Sequence, residues 1–537
     1  MRFISKLGLL RNRGGPPLFI WVPALCIALL LLVSPLYLLI RSTGAGMLGL
    51  DLLFRIKVLE ILLRTILLVG SVTLFSSIIA IPLAWLQVRT DLYGSRFWSV
   101  STSLPLVIPT YVGGFVVIVA LGPRGMLQGF LEGLVGVERI PNINGFFGAC
   151  FLLTILSFPY VLLPVRSGLS RLDQRLEESS RNLGSGAITT FVKVTLPLLR
   201  PSIASGALLV ALYTLSDFGA VSLLRYETFT WAIFSQYEGS LNRYFGALLS
   251  TVLMIIALTL VISEGFFRGR GRYYRSDQGI RMPPKVIPLG RWQWVGQLYC
   301  ALITSLGLIL PCGVLLYWLV RGVLAGEPLL LMWQLAWNSA MISAGAAMVT
   351  VLAGLPIAVL SVRYSGMLSS LLERITYIGF ALPGIVVALG MVFFAARYLP
   401  WIYQTFWILI IAYMVLFLPA AVGTSRAALL QIHPDLENSA RSLGRGQMSV
   451  IWSITLPLVR SGLIAGFAIV FLLTMKELPA TLILSPLGFK TLSTAVWSAS
   501  SEAFFARAAA PALLLILVSS VPLAILTLRG DTDRQYS

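Results

Sequence analysis

Leu176-Glu177-Glu178-Ser179-Ser180-Arg181-Asn182-Leu183-Gly184 is followed by Thr195-Leu196-Pro197-Leu198 and Arg200, and the pattern returns later in the chain. The second copy reads Leu436-Glu437-Asn438-Ser439-Ala440-Arg441-Ser442-Leu443-Gly444, then Thr455-Leu456-Pro457-Leu458 and Arg460, 260 residues on. The register runs without a gap through Gly206/Gly466 to Asp217/Glu477 and Ala220/Ala480. Upstream, Ile81-Pro82-Leu83-Ala84 with Arg89 matches Leu355-Pro356-Ile357-Ala358 with Arg363 at an offset of 274, and Leu104-Pro105 is paired with Leu382-Pro383 at 278. The fall from 278 to 260 predicts an insertion of about 18 residues in the first half, near 122–146. The chain is one unit written twice, each copy carrying a polar island in an apolar background.

The background fixes the class. Of 537 residues, 57% are hydrophobic and 11% charged, with a mean hydropathy of +0.88. A soluble chain carries about 25% charged residues. Apolar runs recur at 18–40, 61–86, 98–121, 147–169, 202–224, 245–267, 297–320, 338–361, 374–396, 405–424, 462–484 and 508–528. Each is near the ~20 residues that cross a bilayer as a helix, and none alternates as barrel strands do. The expected fold is an all-α polytopic membrane protein of about twelve spans in two six-helix repeats. An even count per repeat makes the copies parallel, unlike the inverted repeats of many ion-driven carriers.

The net charge of +19 is topological. With the basic start (Arg2, Lys6, Arg11, Arg13) inside, and Arg64, Arg166 and Arg374 near span ends counted with their nearer side, 27 of the 40 Lys and Arg fall on the inner side and 12 on the outer, and Lys476 lies well within a span. Arg268, Arg270, Arg272, Arg275, Arg281, Lys285 and Arg291 of the central linker contribute most to this positive-inside bias. No nucleic-acid partner is needed to explain the charge, and both termini are expected in the cytoplasm. The 18–40 run is longer than a signal-peptide core and is expected to be a retained helix. Cys26, Cys150, Cys300 and Cys312 form no paired motif. Along the chain the expected division is 1–60 (N-terminus and first helix), 61–267 (first core), 268–296 (basic linker), 297–337 (seventh helix and outer loop), 338–528 (second core) and 529–537 (tail).

Both islands then lie on the cytoplasmic side. Leu176, Ser180 and Leu183, like Leu436, Ala440 and Leu443, are spaced i, i+4, i+7, which predicts an apolar ridge on a short helix. Asp173, Glu177, Asp435 and Glu437 suit its start, as does Pro434, and Gly184 and Gly444 suit a left-handed stop. Such a ridge fits a groove on another protein, or caps the chain's own helices. His433, the single histidine, reads as a helix-start residue rather than a ligand. Met126, Phe130 and Leu134 predict a short amphipathic helix in the insertion, lying at the membrane interface or meeting an outer partner.

Glu-(x)6-Gly followed by Leu-Pro resembles the "EAA" loop of type I ATP-binding-cassette (ABC) importer permeases, and two such units resemble the fused members of that family. The resemblance implies that Glu177, Ser179, Ser180, Leu183, Gly184, Glu437, Ser439, Ala440, Leu443 and Gly444 form coupling helices that dock on a cytoplasmic ATPase dimer. Here the family's alanines are Ser179, Ser180, Ser439 and Ala440, a change conservative in size. Met475-Lys476-Glu477-Leu478-Pro479-Ala480-Thr481-Leu482 and Ser216-Asp217-Phe218-Gly219-Ala220-Val221 resemble segments of ferric-iron permeases. Thiamine, a polyamine or an oxyanion are the alternative cargoes, and an ion-coupled carrier the alternative class.

Asp217, Lys476 and Glu477 are expected inside spans, where ionisable groups face a pathway, gate it or support a broken helix. No G-x-x-x-x-G-K-[ST] loop is present, so ATP hydrolysis is expected on a separate subunit. A periplasmic or extracellular solute-binding protein is the expected outer partner. The chain is then a transport subunit of the inner or plasma membrane, with no cofactor and no firmly assigned metal site.

Overall fold

The computed structural model describes residues 17–532 apart from 45–50, 52, 124, 137–140, 173, 240–242, 268–285, 328–331 and 365. The basic start, the linker charges from Arg268 to Lys285 and the helix-start residue Asp173 therefore lie outside the described residues. Within them, eleven helices are long and apolar enough to cross a bilayer, and Gly384–Tyr398 is a shorter apolar helix. The one β pairing among the described residues is a bridge between Thr90 and Ile287. The all-α polytopic class holds.

Proline sets where the helices break. The span expected at 374–396 is two helices, Met367–Ala381 and Gly384–Tyr398. The span expected at 98–121 is Ser95–Ser101, a 3₁₀ turn Leu104–Val107, and Thr110–Leu121. A residue before proline is pushed out of the helical region. Ile108, at φ −74° and ψ 119°, and Leu382, at φ −85° and ψ 121°, are both extended, and Pro109 and Pro383 cap the helices that follow. Pro109 thus corresponds to Pro383, at the upstream offset of 274, and the pairing of Leu104-Pro105 with Leu382-Pro383 is four residues out of register. The insertion is 274 − 260 = 14 residues rather than about 18.

Three π-helical stretches, Phe191–Thr195, Ser305–Ile309 and Ile451–Thr455, each end two residues before a proline (Pro197, Pro311, Pro457). A proline ring displaces the carbonyl four residues back and offers it no N–H, so the preceding turn widens by one residue. Two of the three occupy equivalent repeat positions immediately after the polar islands.

Helices Ile56–Arg89 and Met332–Arg363 have 34 and 32 residues. At 1.5 Å per residue each is about 50 Å long, against ~30 Å for the hydrocarbon core, so each extends well beyond it. In both, the extension ends on an arginine.

The helices form two compact units, Met1–Arg41 with Trp337–Lys490 and Ser42–Ala336 with Thr491–Ser537. Neither is contiguous, whereas the sequence suggests a division simply along the chain. In the first unit, helix Leu18–Thr43 packs on Gly384–Tyr398: Ser34 Oγ donates to the Val387 carbonyl (3.3 Å), and Tyr37 meets Phe394 and Tyr398 edge-on. A Cβ on Gly390 would overlap Ser34, so that crossing requires glycine. In the second unit, Phe505 of helix Phe505–Thr532 stacks on Phe115 and meets Trp318, and Arg507 pairs with Glu327 (2.9 Å). Lipid tails are as apolar as leucine, so such pairings follow shape and polar contacts rather than chain order.

The insertion contains helix Met126–Val135, stopped by Gly136 at φ +71°. Gln128 is buried, while Met126 and Phe130 of the expected apolar face are exposed, and the Leu134 side chain lies outside the described residues.

Candidate functional site

The polar islands fold as short helices, Gln174–Asn182 and Pro434–Ser442. His433 caps the second, its Nδ1 accepting from the Asp435 N–H (3.4 Å), with Pro434 in the first turn. Both end alike. The Ser185 N–H reaches back to the Ser180 carbonyl (3.1 Å) and Gly184 to Arg181 (2.9 Å); Arg445 reaches Ala440 (3.2 Å) and Gly444 reaches Arg441 (2.9 Å). This 6→1, 5→2 closure needs a left-handed residue, and Gly184 and Gly444 supply it at φ +84° and +82°. Leu183 and Leu443, just before the glycines, stand 87% and 84% exposed, and Leu176 and Leu436 are about half exposed.

The spacing alone predicts one continuous ridge, but the structure divides it. Ser179 and Ser439 face outward with the leucines, while Ser180 is half-buried and Ala440 buried. Ser180 shares a hydrogen bond with Thr190 (3.2 Å). The matching pair in the second copy is Ala440 and Val450, both buried. A polar pair has been exchanged for an apolar one, and neither version strands an unpaired hydroxyl.

Glu177 and Glu437 turn inward. Glu437 Oε1 accepts from Arg363 Nε (3.1 Å) and Thr455 Oγ1 (3.1 Å), and lies 3.0 Å from a terminal Arg363 nitrogen that also reaches the Ile432 carbonyl (3.2 Å). Glu177 Oε1 accepts from Arg89 (3.3 Å) and Thr195 Oγ1 (2.8 Å). Three duplicated features, far apart in sequence, thus meet at one carboxylate oxygen in each copy. The arginine comes from the end of a long helix, the glutamate from the island, and the threonine from the π-helical turn before Leu-Pro. Arg89, Arg363, Thr195 and Thr455 carried no functional assignment from sequence reasoning. Their signal was the duplication itself, since each recurs at its repeat's offset.

Asp217, Lys476 and Glu477 stand where long helices stop rather than within them. Asp217 is the C-cap of Leu196–Ser216, and Lys476 that of Leu456–Met475. Each chain break is followed by a short helix, Gly219–Leu223 or Pro479–Leu484. Asp217 Oδ1 accepts from the N–H groups of Ala220 (3.0 Å) and Val221 (3.2 Å), and Glu477 Oε1 from Ala480 (3.3 Å). Both carboxylates therefore satisfy free donors of a helix start, Asp217 in a buried site and Glu477 in a half-buried one. Their opposite neighbours are matched in size. Thr110 hydrogen-bonds Asp217, whereas at the corresponding position Gly384 makes room for the longer Glu477, whose Oε1 a Cβ there would overlap. Among the described residues no three His, Cys, Asp or Glu side chains gather as a metal site.

Capping predicts how Asp217 tolerates change. Asp217→Asn keeps an acceptor oxygen and is expected to hold thermal stability and uptake within about twofold of wild type. Asp217→Ala is expected to cost roughly 0.5–2 kcal/mol, the value of a lost cap. Thermal unfolding and proteoliposome uptake measure both. A more than tenfold loss of uptake in Asp217→Asn would show instead that the charge meets the cargo.

The family model for the inner membrane component of binding-protein-dependent transport systems matches residues 73–264 and again 350–528. The Fe(3+)-transport system permease protein FbpB 2 of Haemophilus influenzae is 38% identical over 517 residues, 95% of this chain and 98% of that protein. The ferric transport system permease protein FbpB of Actinobacillus pleuropneumoniae is 24% identical over 88% of this chain and 72% of its own length. The molybdenum transport system permease protein ModB of Escherichia coli is 34% identical, but over 27% of this chain and 63% of its own.

Proposed function

The chain belongs to the family of inner membrane components of binding-protein-dependent transport systems, and on that premise we propose that it imports ferric iron. It is a multi-pass permease subunit of an ABC importer and not itself an enzyme. Likeness to a ferric permease over 95% of the chain supports iron, whereas the molybdenum permease matches only 27%. In this reading both termini lie in the cytoplasm. An ATPase dimer takes up the exposed faces of Gln174–Asn182 and Pro434–Ser442, and a periplasmic binding protein delivers the cargo.

The carrying observation is the doubled Arg–Glu–Thr node. A docking helix transmits motion only if it is tied to a span, and Glu177 and Glu437 tie each helix to two: the long helix ending in Arg89 or Arg363, and the helix following Thr195 or Thr455. Displacing either docking helix then displaces two membrane helices. Leu183, Leu443, Ser179 and Ser439 meet the ATPase, while Glu177, Glu437, Ser180, Ala440, Gly184 and Gly444 set the helix's pose. Asp217, Lys476 and Glu477 hold the breaks at the far ends of the same helices, so motion of Leu196–Ser216 or Leu456–Met475 reaches the pathway through them.

Cargo and mechanism are tested together by reconstituting the chain with its ATPase and binding protein in liposomes. ATP-dependent uptake of ferric iron, with calorimetric binding of ferric iron by the binding protein, is expected. Binding of thiamine, a polyamine or molybdate instead would reassign the cargo, and uptake without ATP would reject the class.

A further inference from the structure

The two nodes are tied down differently. In the second copy, Tyr364, next to Arg363, takes a hydrogen bond from Gln447 just beyond the docking helix. The corresponding residues of the first copy are Thr90 and Ala187, which cannot form that bond. Arg363 also spans Glu437 and the Ile432 carbonyl, whereas Arg89 reaches Glu177 through one nitrogen, and its Nε is buried with no acceptor among the described residues. Taken alone, the first node is the looser.

What holds it is the returning end of the linker between the repeats. Ile287 donates to the Arg89 carbonyl (2.9 Å) and accepts from the Asp91 N–H (3.3 Å), bracketing the residues beside Arg89. Leu289 N–H donates to Asp91 Oδ1 (2.8 Å), and Gln293 Nε2 to the Asp91 carbonyl (3.1 Å). Gln297 Nε2 donates to the Tyr93 carbonyl (2.6 Å) while its Oε1 accepts from Trp98 (2.8 Å). Six hydrogen bonds thus bind residues 287–297 to residues 89–98. Buried Leu92 lies against Gly296, where a Cβ would come within 3.0 Å of its side chain.

We propose that this linker end is a strap that positions the first docking helix by fixing the backbone of Arg89, the task Gln447 and Tyr364 perform in the second half. Asp91 beside Arg89, and Gln293 and Gln297 on the returning segment that otherwise only joins the repeats, are positioning residues. The strap gives the first docking site a handle the second lacks: whatever pulls on the linker loosens one helix and not the other. Its place in coupling rests on the docking role proposed above, but its mechanical claim is local to this chain.

Hydrogen exchange of the full-length chain in nanodiscs tests it. In Asp91→Ala, peptides covering 174–186 are expected to exchange about three- to tenfold faster, as when one stabilising hydrogen bond is lost, with 434–446 unchanged. Asp91→Asn, which keeps the acceptor for Leu289, restores wild-type exchange. Gln447→Ala gives the mirror image, loosening 434–446 alone. Should Asp91→Ala fail to fold, Gln293→Ala removes a separate tie, to the Asp91 main-chain carbonyl, and is read the same way. Unchanged exchange at 174–186, an equal rise in both segments, or no restoration by Asp91→Asn would each overturn the strap. Because the readout needs neither ATPase nor cargo, its failure leaves the docking role standing; that role fails separately if the docking leucines prove dispensable.

Discussion

Replacing Glu437 by alanine is expected to abolish uptake and to cost the fold more than the same change at Glu177. The Glu437 and Arg363 side chains are each 8% exposed. Removing one partner of a buried pair leaves the other charge uncompensated, at about 3–5 kcal/mol. Glu177 is 18% exposed and meets Arg89 through one contact at 3.3 Å, so water partly replaces it, and the loss there is roughly 1–3 kcal/mol. Glu437→Gln, which keeps an acceptor for Thr455 and Arg363, falls between. Thermal unfolding of the purified variants ranks them. The double variant Glu177→Ala/Glu437→Ala is expected to leave ATP hydrolysis running without uptake, because both docking helices then lose their ties to the spans. Wild-type unfolding in Glu437→Ala would show that the node is not structural, and normal uptake in the double variant would sink the coupling assignment.

Leu183→Asp with Leu443→Asp should do the reverse, sparing the fold and losing the partner. The two side chains are 87% and 84% exposed, and substitutions at such positions alter stability by about 0.5 kcal/mol or less. Burying a leucine in a partner's groove is worth roughly 1.5–3 kcal/mol. Two together contribute about 3–6 kcal/mol, a loss of affinity on the order of 10² to 10⁴. Co-purified ATPase is therefore expected to fall below detection while the melting temperature stays put. Retention of the ATPase at wild-type level would show that docking uses another surface.

These variants separate two layers of the site that differ in how legible they are in the sequence. The helix stops at Gly184 and Gly444 are local. A glycine after a short helix, in reach of the carbonyls behind it, predicts φ > 0, and the angles agree. The outward leucines follow from the same local geometry. The inward glutamates do not, because helical spacing sorts residues onto faces without saying which face meets the rest of the chain. The expected ridge therefore includes Ser180 and Ala440, which in fact pack inward. Register was likewise legible except where the cue was a bare dipeptide. Leu104-Pro105 looked like Leu382-Pro383, yet Ile108-Pro109 is the true counterpart, because an extended residue and a capping proline mark the break.

Composition and repetition by themselves determined an all-α membrane chain built from two copies of one unit, each with a short polar helix stopped by a glycine. Those features depend on side-chain period, run length and a stopping glycine, all of which act within a few residues. Only the tertiary structure decided that Arg89 meets Glu177 across 88 positions of sequence, that the Asp217 and Glu477 carboxylates accept from the N–H groups of the short helices after the breaks, and that the first helix packs in the unit of the second repeat. Those outcomes depend on which surfaces fit. In a bilayer the hydrophobic effect does not choose among helix partners, so close glycine contacts and single hydrogen bonds between distant residues select them.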